Sequence, residues 1–123
     1  WDIKQIRASD NQRQIMTDMK TGITTLEIID DFGSVEDQQH GMVSGSVARE
    51  WWSIHPDDPL SARGKTHWTE ERSRGDWITR TEAFAEMTSD ADKFYLTARM
   101  EAYENDTLIF EKDFEETIER KHH

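Results

Sequence analysis

Ser53, His55 and Asp57 are the three residue types of a hydrolase triad, and they lie at alternate positions. In a triad the histidine takes the proton of the serine hydroxyl while the carboxylate orients the imidazole. On an extended chain leading into a turn this spacing makes mutual hydrogen bonding awkward, and the Gly-x-Ser-x-Gly pattern of a nucleophilic serine is absent around Ser53. We therefore predict no catalytic residues, and expect Asp57 and Asp58 to accept backbone hydrogen bonds in the turn.

The histidines offer a second kind of chemistry, metal binding. His40, His55 and His67 lie in separate segments without His-x-His or His-Glu-x-x-His spacing, and cysteine is absent. Adjacent carboxylates such as Asp30–Asp31 and Glu115–Glu116 are expected by chance among 26 acidic residues. The sequence predicts no metal and no cofactor, and a metalloenzyme is the least favoured alternative.

Composition indicates one globular domain, residues 1–121. Apolar residues make up 34% of the 123, but five Trp, five Phe and two Tyr add large buried area. The net charge of −11 disfavours nucleic acid and anionic membranes as partners. The lack of cysteine, of a signal peptide and of a long apolar run favours a cytoplasmic protein. The start at Trp1 suggests missing upstream sequence, and His122–His123 resembles a tag remnant.

Alternation of apolar and polar residues predicts strands through most of the chain. In Phe94–Tyr103, even-numbered positions from Phe94 to Ala102 are apolar and share one face. In Trp77–Thr88, the odd-numbered positions from Trp77 to Met87 share one face, which is apolar except for Thr79 and Thr81. Turn residues at Arg74–Asp76 and Glu104–Thr107 separate these runs from their neighbours, because Gly, Asn and Asp tolerate positive φ. Four consecutive long strands are therefore expected from Lys65 onward.

The first half of the chain carries weaker signals. Met42–Ile54 predicts one strand, with Gly41 and Gly45 as bulge positions, followed by a tight corner at His55–Leu60. Ile23–Ile29 predicts a strand that is broken at Asp30–Ser34.

Nearer the start, Trp1–Ala8 alternates imperfectly, and Gln14–Lys20 fits a strand or a short helix. A hairpin turn at Asp10–Asn11 favours the strand. The whole chain is expected to be all-β, an antiparallel meander of about seven to eight long strands forming a jelly-roll-like sandwich or a partly closed barrel.

Aromatic residues on both faces of these strands are the candidate ligand-binding residues. Trp51 and Trp52 must point to opposite sides of one strand, so that one packs inside and the other covers a neighbouring surface. Core packing is the favoured interpretation of that pair. An apolar ligand in a stand-alone barrel or sandwich would be contacted by Trp52, Trp68, Phe84 and Tyr103.

The order of several segments resembles the carboxy-terminal β-domain of CocE/NonD-type acyl hydrolases, which are X-prolyl dipeptidyl-peptidase-like. The matching segments are residues 29–33, 53–62, 74–77, 88–91, 94–98 and 101–104, with Phe110 and Phe114 beyond. The resemblance covers roughly residues 23–120, although the family's β-domain is usually longer.

This resemblance implies a jelly-roll-like domain that carries none of the catalytic residues. Those residues lie in a separate α/β-hydrolase domain upstream, against which the β-domain packs while it helps to wall the substrate pocket. The expected partner is such a domain of a parent chain, or a second copy joined through strand edges. If the β-domain docks in this way, the isolated domain should expose an apolar patch larger than a few hundred Å².

Overall fold

A computed structural model describes residues 3–120, which form strands and turns and contain no helix. Trp1 and the predicted tag remnant at His122–His123 lie outside the described residues. The strands are β1 (Ile3–Arg7), β2 (Asp10–Thr17), β3 (Thr24–Asp37), β4 (Met42–His55), β5 (Asp58–Arg74), β6 (Trp77–Ser89), β7 (Lys93–Glu104) and β8 (Thr107–Glu119).

All eight strands belong to one antiparallel sheet with the order β1-β3-β4-β5-β6-β7-β8, and β2 also pairs with β3. From β3 onward each strand pairs with the next one along the chain. The predicted all-β meander of seven to eight long strands is confirmed. Within residues 3–120, β8 forms one edge, β1 and β2 form the other, and the two edges do not meet.

The two N-terminal strands lie end to end along β3. β1 pairs with the second half of β3, and β2 pairs with the first half. Both run antiparallel to β3, so they form one edge strand that is interrupted at residues 8–9. The predicted hairpin turn at Asp10–Asn11 is wrong, because these residues pair with Asp31 and Asp30 inside β2. The strand interpretation of Gln14–Lys20 is confirmed as far as Thr17.

The predicted break at Asp30–Ser34 is a bulge inside a continuous β3. The register shifts between Asp31 and Ser34, so that two residues of β3 oppose one of β4. Gly33 adopts φ +76 there, and its N–H donates to Asp31 Oδ1 at 2.8 Å. Gly45 lies across from this bulge, where a Cβ would meet Ser34 Cβ at 2.8 Å. Gly41 belongs to the β3–β4 turn rather than to a bulge.

The predicted turns after β4 and β7 form as expected. Asn105 and Asp106 have φ of 47 and 65 between β7 and β8, and Asn105 Oδ1 accepts the N–H of Ile78 at 3.0 Å. Pro56–Asp57 forms the corner between β4 and β5. In this corner Asp58 Oδ1 accepts the N–H of Leu60 at 3.1 Å, as predicted. The same prediction for Asp57 is wrong, because Asp57 instead donates its backbone N–H to His55 Nδ1.

The sheet has almost no core of its own. Among the described residues, the only buried apolar side chain is Ala48, 5% exposed, and the only buried polar one is Thr69, 8% exposed. The accessible area is 9084 Å² for a chain of 14.5 kDa, whereas a compact monomer of this mass exposes about 6,900 Å². The described residues therefore form a single layer, and the second layer of a sandwich is not among them.

Candidate functional site

The cross-strand pairs divide the sheet into two chemically different faces, because directly paired residues project to the same side. One row runs through Trp52, Gly64, Met87 and Leu96. We call its side the apolar face, and it also carries Ala48, Trp68, Ala83, Ala85, Ala98, Met100 and Phe114. We call the other side the polar face; it carries Arg49, His67, Thr69, Glu82, Phe84, Arg99, Glu101, Tyr103 and Asp113.

Small residues form the middle of the apolar face. Ala85 and Ala98 are cross-strand partners, and the longer side chains of Met87, Leu96 and Met100 occupy neighbouring positions. Met100 is 44% exposed. Apolar side chains of this size are usually covered when they lie together on one surface. The middle of the apolar face is therefore open to solvent, and Ala85 itself is exposed.

Trp52 has a defined place on this face because Gly64 lacks a side chain. A Cβ on Gly64 would meet Trp52 Cζ3 at 2.7 Å and Cε3 at 3.0 Å, so the indole ring lies directly over the glycine. Despite this contact Trp52 remains 44% exposed. A groove of about 260 Å³ lies beside the ring, lined largely by apolar atoms of residues that include Ile54 and Met87.

The polar face is organised by Glu82, which is the central acceptor of a half-buried network. Thr69 Oγ1 donates to Glu82 Oε1 at 3.0 Å, and His67 Nε2 is paired with Glu82 Oε2. Arg80 Nε lies 3.6 Å from Glu82 Oε1. Arg49 Nη1 in turn donates to Thr69 Oγ1 at 3.1 Å. Most polar side chains on this face therefore satisfy one another, although Arg80 Nε is buried without a hydrogen-bond partner among the described residues.

Arg99 forms a second network beside the first. It donates from Nε to Glu101 at 2.7 Å, from Nη2 to Glu111 at 2.5 Å, and from Nη1 to both Asp113 oxygens at 3.1 Å. These carboxylates, Glu101 above all, raise the pKa of Arg99 above its ordinary value. The Arg99 guanidinium, followed by the Tyr103 hydroxyl, lowers the pKa of Glu101. The hydrogen bond to Glu101 likewise raises the pKa of Tyr103.

The four predicted ligand-binding aromatics are divided between the faces. Trp52 and Trp68 lie on the apolar face, where Phe32 stacks against Trp68 with ring centroids 6.3 Å apart. Phe84 and Tyr103 lie on the polar face. One small ligand therefore cannot contact all four residues.

On the polar face, Phe84 and Tyr103 are already covered by neighbouring side chains. Phe84 stacks on His67 with centroids 4.3 Å apart, and the Arg80 guanidinium lies 4.3 Å from the Tyr103 ring. Trp51 also lies on this face and donates to Glu27 Oε2 at 2.9 Å. The prediction that Trp51 and Trp52 point to opposite sides is thus confirmed.

The Ser53, His55 and Asp57 set forms backbone contacts rather than a triad. His55 Nδ1 accepts the N–H of Asp57 at 3.1 Å, and the N–H of His55 donates to Ser61 Oγ at 2.8 Å. Asp57 thus meets His55 through its backbone and not through its carboxylate. This arrangement stabilises the corner and offers no route for proton removal from Ser53.

The remaining histidines are also engaged locally. His40 Nδ1 lies 2.8 Å from Asp37 Oδ2 across the β3–β4 turn, and this hydrogen bond lowers the pKa of Asp37. Within residues 3–120, no group of three His, Asp or Glu side chains has a geometry that could hold a metal ion.

A groove of about 500 Å³ crosses the polar face above β5 to β8 and is lined by Lys65, Phe84, Arg99, Asp113 and Glu115, among others. It mixes both charge signs around one aromatic ring, and it contains no nucleophile with an adjacent base. Of these five residues, the sequence had singled out only Phe84, as a ligand-binding aromatic, and Glu115, as part of an adjacent carboxylate pair. No local pattern marks the polar network, because Thr69 lies next to Glu70 and Glu82 lies next to Thr81.

The part of the chain that the structure describes contains no helix long and apolar enough to span a membrane. Neither the protein-family models, nor the curated proteins, nor the solved structures contain a match to this chain.

Proposed function

We propose that this chain is a non-catalytic β-domain that packs through its apolar face against the α/β-hydrolase domain of a CocE/NonD-type parent chain and helps to wall its substrate pocket. The proposal joins the segment resemblance, from Ile29 to Glu104, with the chemistry of the two faces. On this proposal the catalytic residues belong to the partner domain, and the cysteine-free chain works in the reducing cytoplasm.

The observation that carries the proposal is the uncovered apolar face. The chain exposes 9084 Å², which is about 2,200 Å² more than a compact monomer of its mass. A standard protein–protein interface covers about 800 Å² on each partner. The excess comes from both faces of the single layer, and half of it, about 1,100 Å², already exceeds one side of a standard interface.

The alternative is a stand-alone β-barrel or sandwich that binds an apolar small molecule. It has less support, because ligand sites of this kind are enclosed cavities of about 300–1,000 Å³. The apolar groove beside Trp52 measures about 260 Å³ and is open to solvent.

Methionine oxidation tests the proposal, because two methionines differ in their relation to the apolar face. Met100 lies on that face, whereas Met19 lies in the β2–β3 turn and is 94% exposed. In the native gene product, which should contain several hundred residues by intact mass, we expect Met100 to be protected and Met19 to react. In the 123-residue chain alone, both should react. Equal reactivity of Met100 in the two proteins would count against docking.

A second measurement addresses the absence of catalysis. The isolated chain should leave short-chain aryl esters unhydrolysed above the rate of buffer alone. Clear turnover that is abolished by Ser53→Ala would contradict a non-catalytic role.

A further inference from the structure

β8 is a long, unpaired edge in the part of the sheet that the structure describes. All 13 of its residues are exposed, and only one side of the strand pairs with β7. The opposite edge is shared by β1 and β2, with 5 and 8 residues, and is interrupted between them. Unpaired backbone N–H and C=O groups make an uninterrupted edge a template for another strand.

The side chains that β8 places on the apolar face form a complementary series. They are Phe110, Lys112, Phe114, Glu116 and Ile118, since their partners on β7 run from Ala102 to Phe94. When a second copy of the series runs in the opposite direction, Phe110 lies opposite Ile118, Lys112 lies opposite Glu116, and Phe114 lies opposite its own copy. We propose that β8 pairs with β8 of a second copy, antiparallel and centred on Phe114, so that two sheets join into one.

This register forms two identical ion pairs across the two-fold axis. Lys112 of each copy lies opposite Glu116 of the other, and opposite charges at directly paired positions stabilise an antiparallel pair. Within residues 3–120 neither side chain forms an ion pair of its own. Lys112 Nζ instead lies 4.9 Å from the Phe114 ring, which keeps the ammonium close to the strand edge.

Other registers lack this complementarity. Glu116 is the only acid that β8 places on the apolar face, so among antiparallel registers that keep the two apolar faces on the same side, every other one leaves Lys112 without a charged partner. A shift of one pair in either direction also sets Asp113 or Glu115 opposite its own copy. In the register centred on Phe114, Asp113 faces Glu115, and Arg99 partly neutralises that repulsion because its Nη1 lies 3.1 Å from both Asp113 oxygens.

The pairing goes beyond the proposed function and does not depend on it. It uses the β8 edge, whereas docking of a hydrolase domain uses the apolar face. A parent chain could therefore carry both contacts at once, and each can fail without the other.

Charge reversal tests the register. Sedimentation of the full chain should show a dimer, and Lys112→Glu or Glu116→Lys should each raise the dimer dissociation constant by about tenfold or more. The double variant Lys112→Glu/Glu116→Lys should restore it, because the two pairs are re-formed with exchanged signs. Lys20→Glu, in the β2–β3 turn, makes the same charge change away from β8 and should leave the constant unchanged. A monomer at all concentrations, or no restoration in the double variant, overturns the proposal.

Inward-facing edge charges can also protect a strand against pairing, and this alternative predicts the opposite result. If Lys112 and Glu116 only prevent association, the variant Lys112→Ala/Glu116→Ala will associate more tightly than the wild type. On the present proposal it associates less tightly. A tighter dimer in this variant therefore overturns the pairing.

Cysteine cross-linking reads the register directly, because the chain contains no cysteine of its own. Phe114→Cys should form a dimer disulfide under mild oxidation, since the two Cα atoms lie opposite each other within the roughly 7 Å limit for a disulfide. Lys112→Cys alone should not, because its copy lies four positions away, about 13 Å along the strand. A mixture of Lys112→Cys and Glu116→Cys should cross-link between chains. Cross-linking of Lys112→Cys to itself, or failure of both expected pairs, contradicts the register.

Discussion

Replacing Gly33 by alanine tests whether the β3 bulge holds the N-terminal edge strands in place. Gly33 is buried, has φ +76, and lies under the junction between β1 and β2. A Cβ there would lie 3.0 Å from Ser9 N and 3.1 Å from the Ala8 carbonyl carbon, and closer still to the Arg7 carbonyl oxygen. All three atoms belong to the backbone, so the contact is relieved only if the edge strand moves away from β3.

Gly41→Ala is the matched control. Gly41 has φ +68, almost the same backbone conformation, but nothing lies within 4 Å of its added Cβ. The left-handed conformation costs an alanine about 1–2 kcal/mol at either position. Gly33→Ala adds the cost of overpacking, about 1–3 kcal/mol. Before the gain that both variants share through the unfolded chain, we therefore expect losses of unfolding free energy of about 1–2 kcal/mol for Gly41→Ala and about 2–5 kcal/mol for Gly33→Ala.

Urea unfolding followed by tryptophan fluorescence measures both variants. The gain from restricting the unfolded chain is the same for any Gly→Ala change and cancels in the difference. Hydrogen exchange should also be faster in β1 and β2 of Gly33→Ala, and unchanged there in Gly41→Ala. Equal destabilisation of the two variants, with edge exchange unaltered, would refute the idea that the bulge positions the edge.

Three further predictions concern the two faces and one turn. Glu82→Ala should reduce the unfolding free energy, measured in urea, by about 1–3 kcal/mol, because the buried Thr69 hydroxyl loses its acceptor. The control is Glu70→Ala, at an exposed position on the other face, which should change the unfolding free energy by less than about 0.5 kcal/mol. The Tyr95 hydroxyl donates to Asp90 at 2.5 Å and lowers the pKa of that carboxyl below 3.8. Its stabilising effect should therefore be complete above about pH 5 and lost as the pH falls through the lowered pKa. Tyr95→Phe should return the NMR-measured pKa of Asp90 towards its ordinary value. The isolated chain should bind an apolar fluorescent dye through its exposed apolar face, and Met100→Lys should weaken that binding without a loss of the sheet's circular dichroism; unchanged dye binding would place the dye elsewhere.

Much of the fold follows from local pattern. The even positions of Phe94–Ala102 and the odd positions of Trp77–Met87 lie on one face, as alternation predicts. Asn105 and Asp106 adopt the positive φ expected of them. These features are predictable because a strand's period and a turn's dihedral angles depend on neighbours only a few residues away.

The bulges are where alternation fails. In β8 the register shifts near Ile109, so Leu108 pairs with Tyr103 on the polar face instead of sharing the apolar face with Phe110. The hairpin predicted at Asp10–Asn11 failed for a related reason. Turn-forming residue types do not reveal whether two strands pair with each other or with a third.

The candidate site was also only partly predictable from the sequence. The aromatic residues Trp52 and Phe84 could be selected from sequence by type, and their faces by position. The convergence of Thr69 and His67 on Glu82 could not be predicted from the sequence, because it depends on the β5–β6 register. A one-residue slip would send these side chains to opposite faces.

By itself the sequence determined the strands and turns from β4 onward and, apart from Leu108, which side of β6 and β7 and of most of β8 is apolar, because these properties are local. Only the tertiary structure decided that the strands of residues 3–120 form a single layer, that β1 and β2 share the edge of β3, and that β8 is paired on one side only. The physical reason is that pairing between distant segments depends on contacts summed over the whole sheet. Likewise, an apolar side chain in the sequence does not reveal whether anything in the same chain covers it.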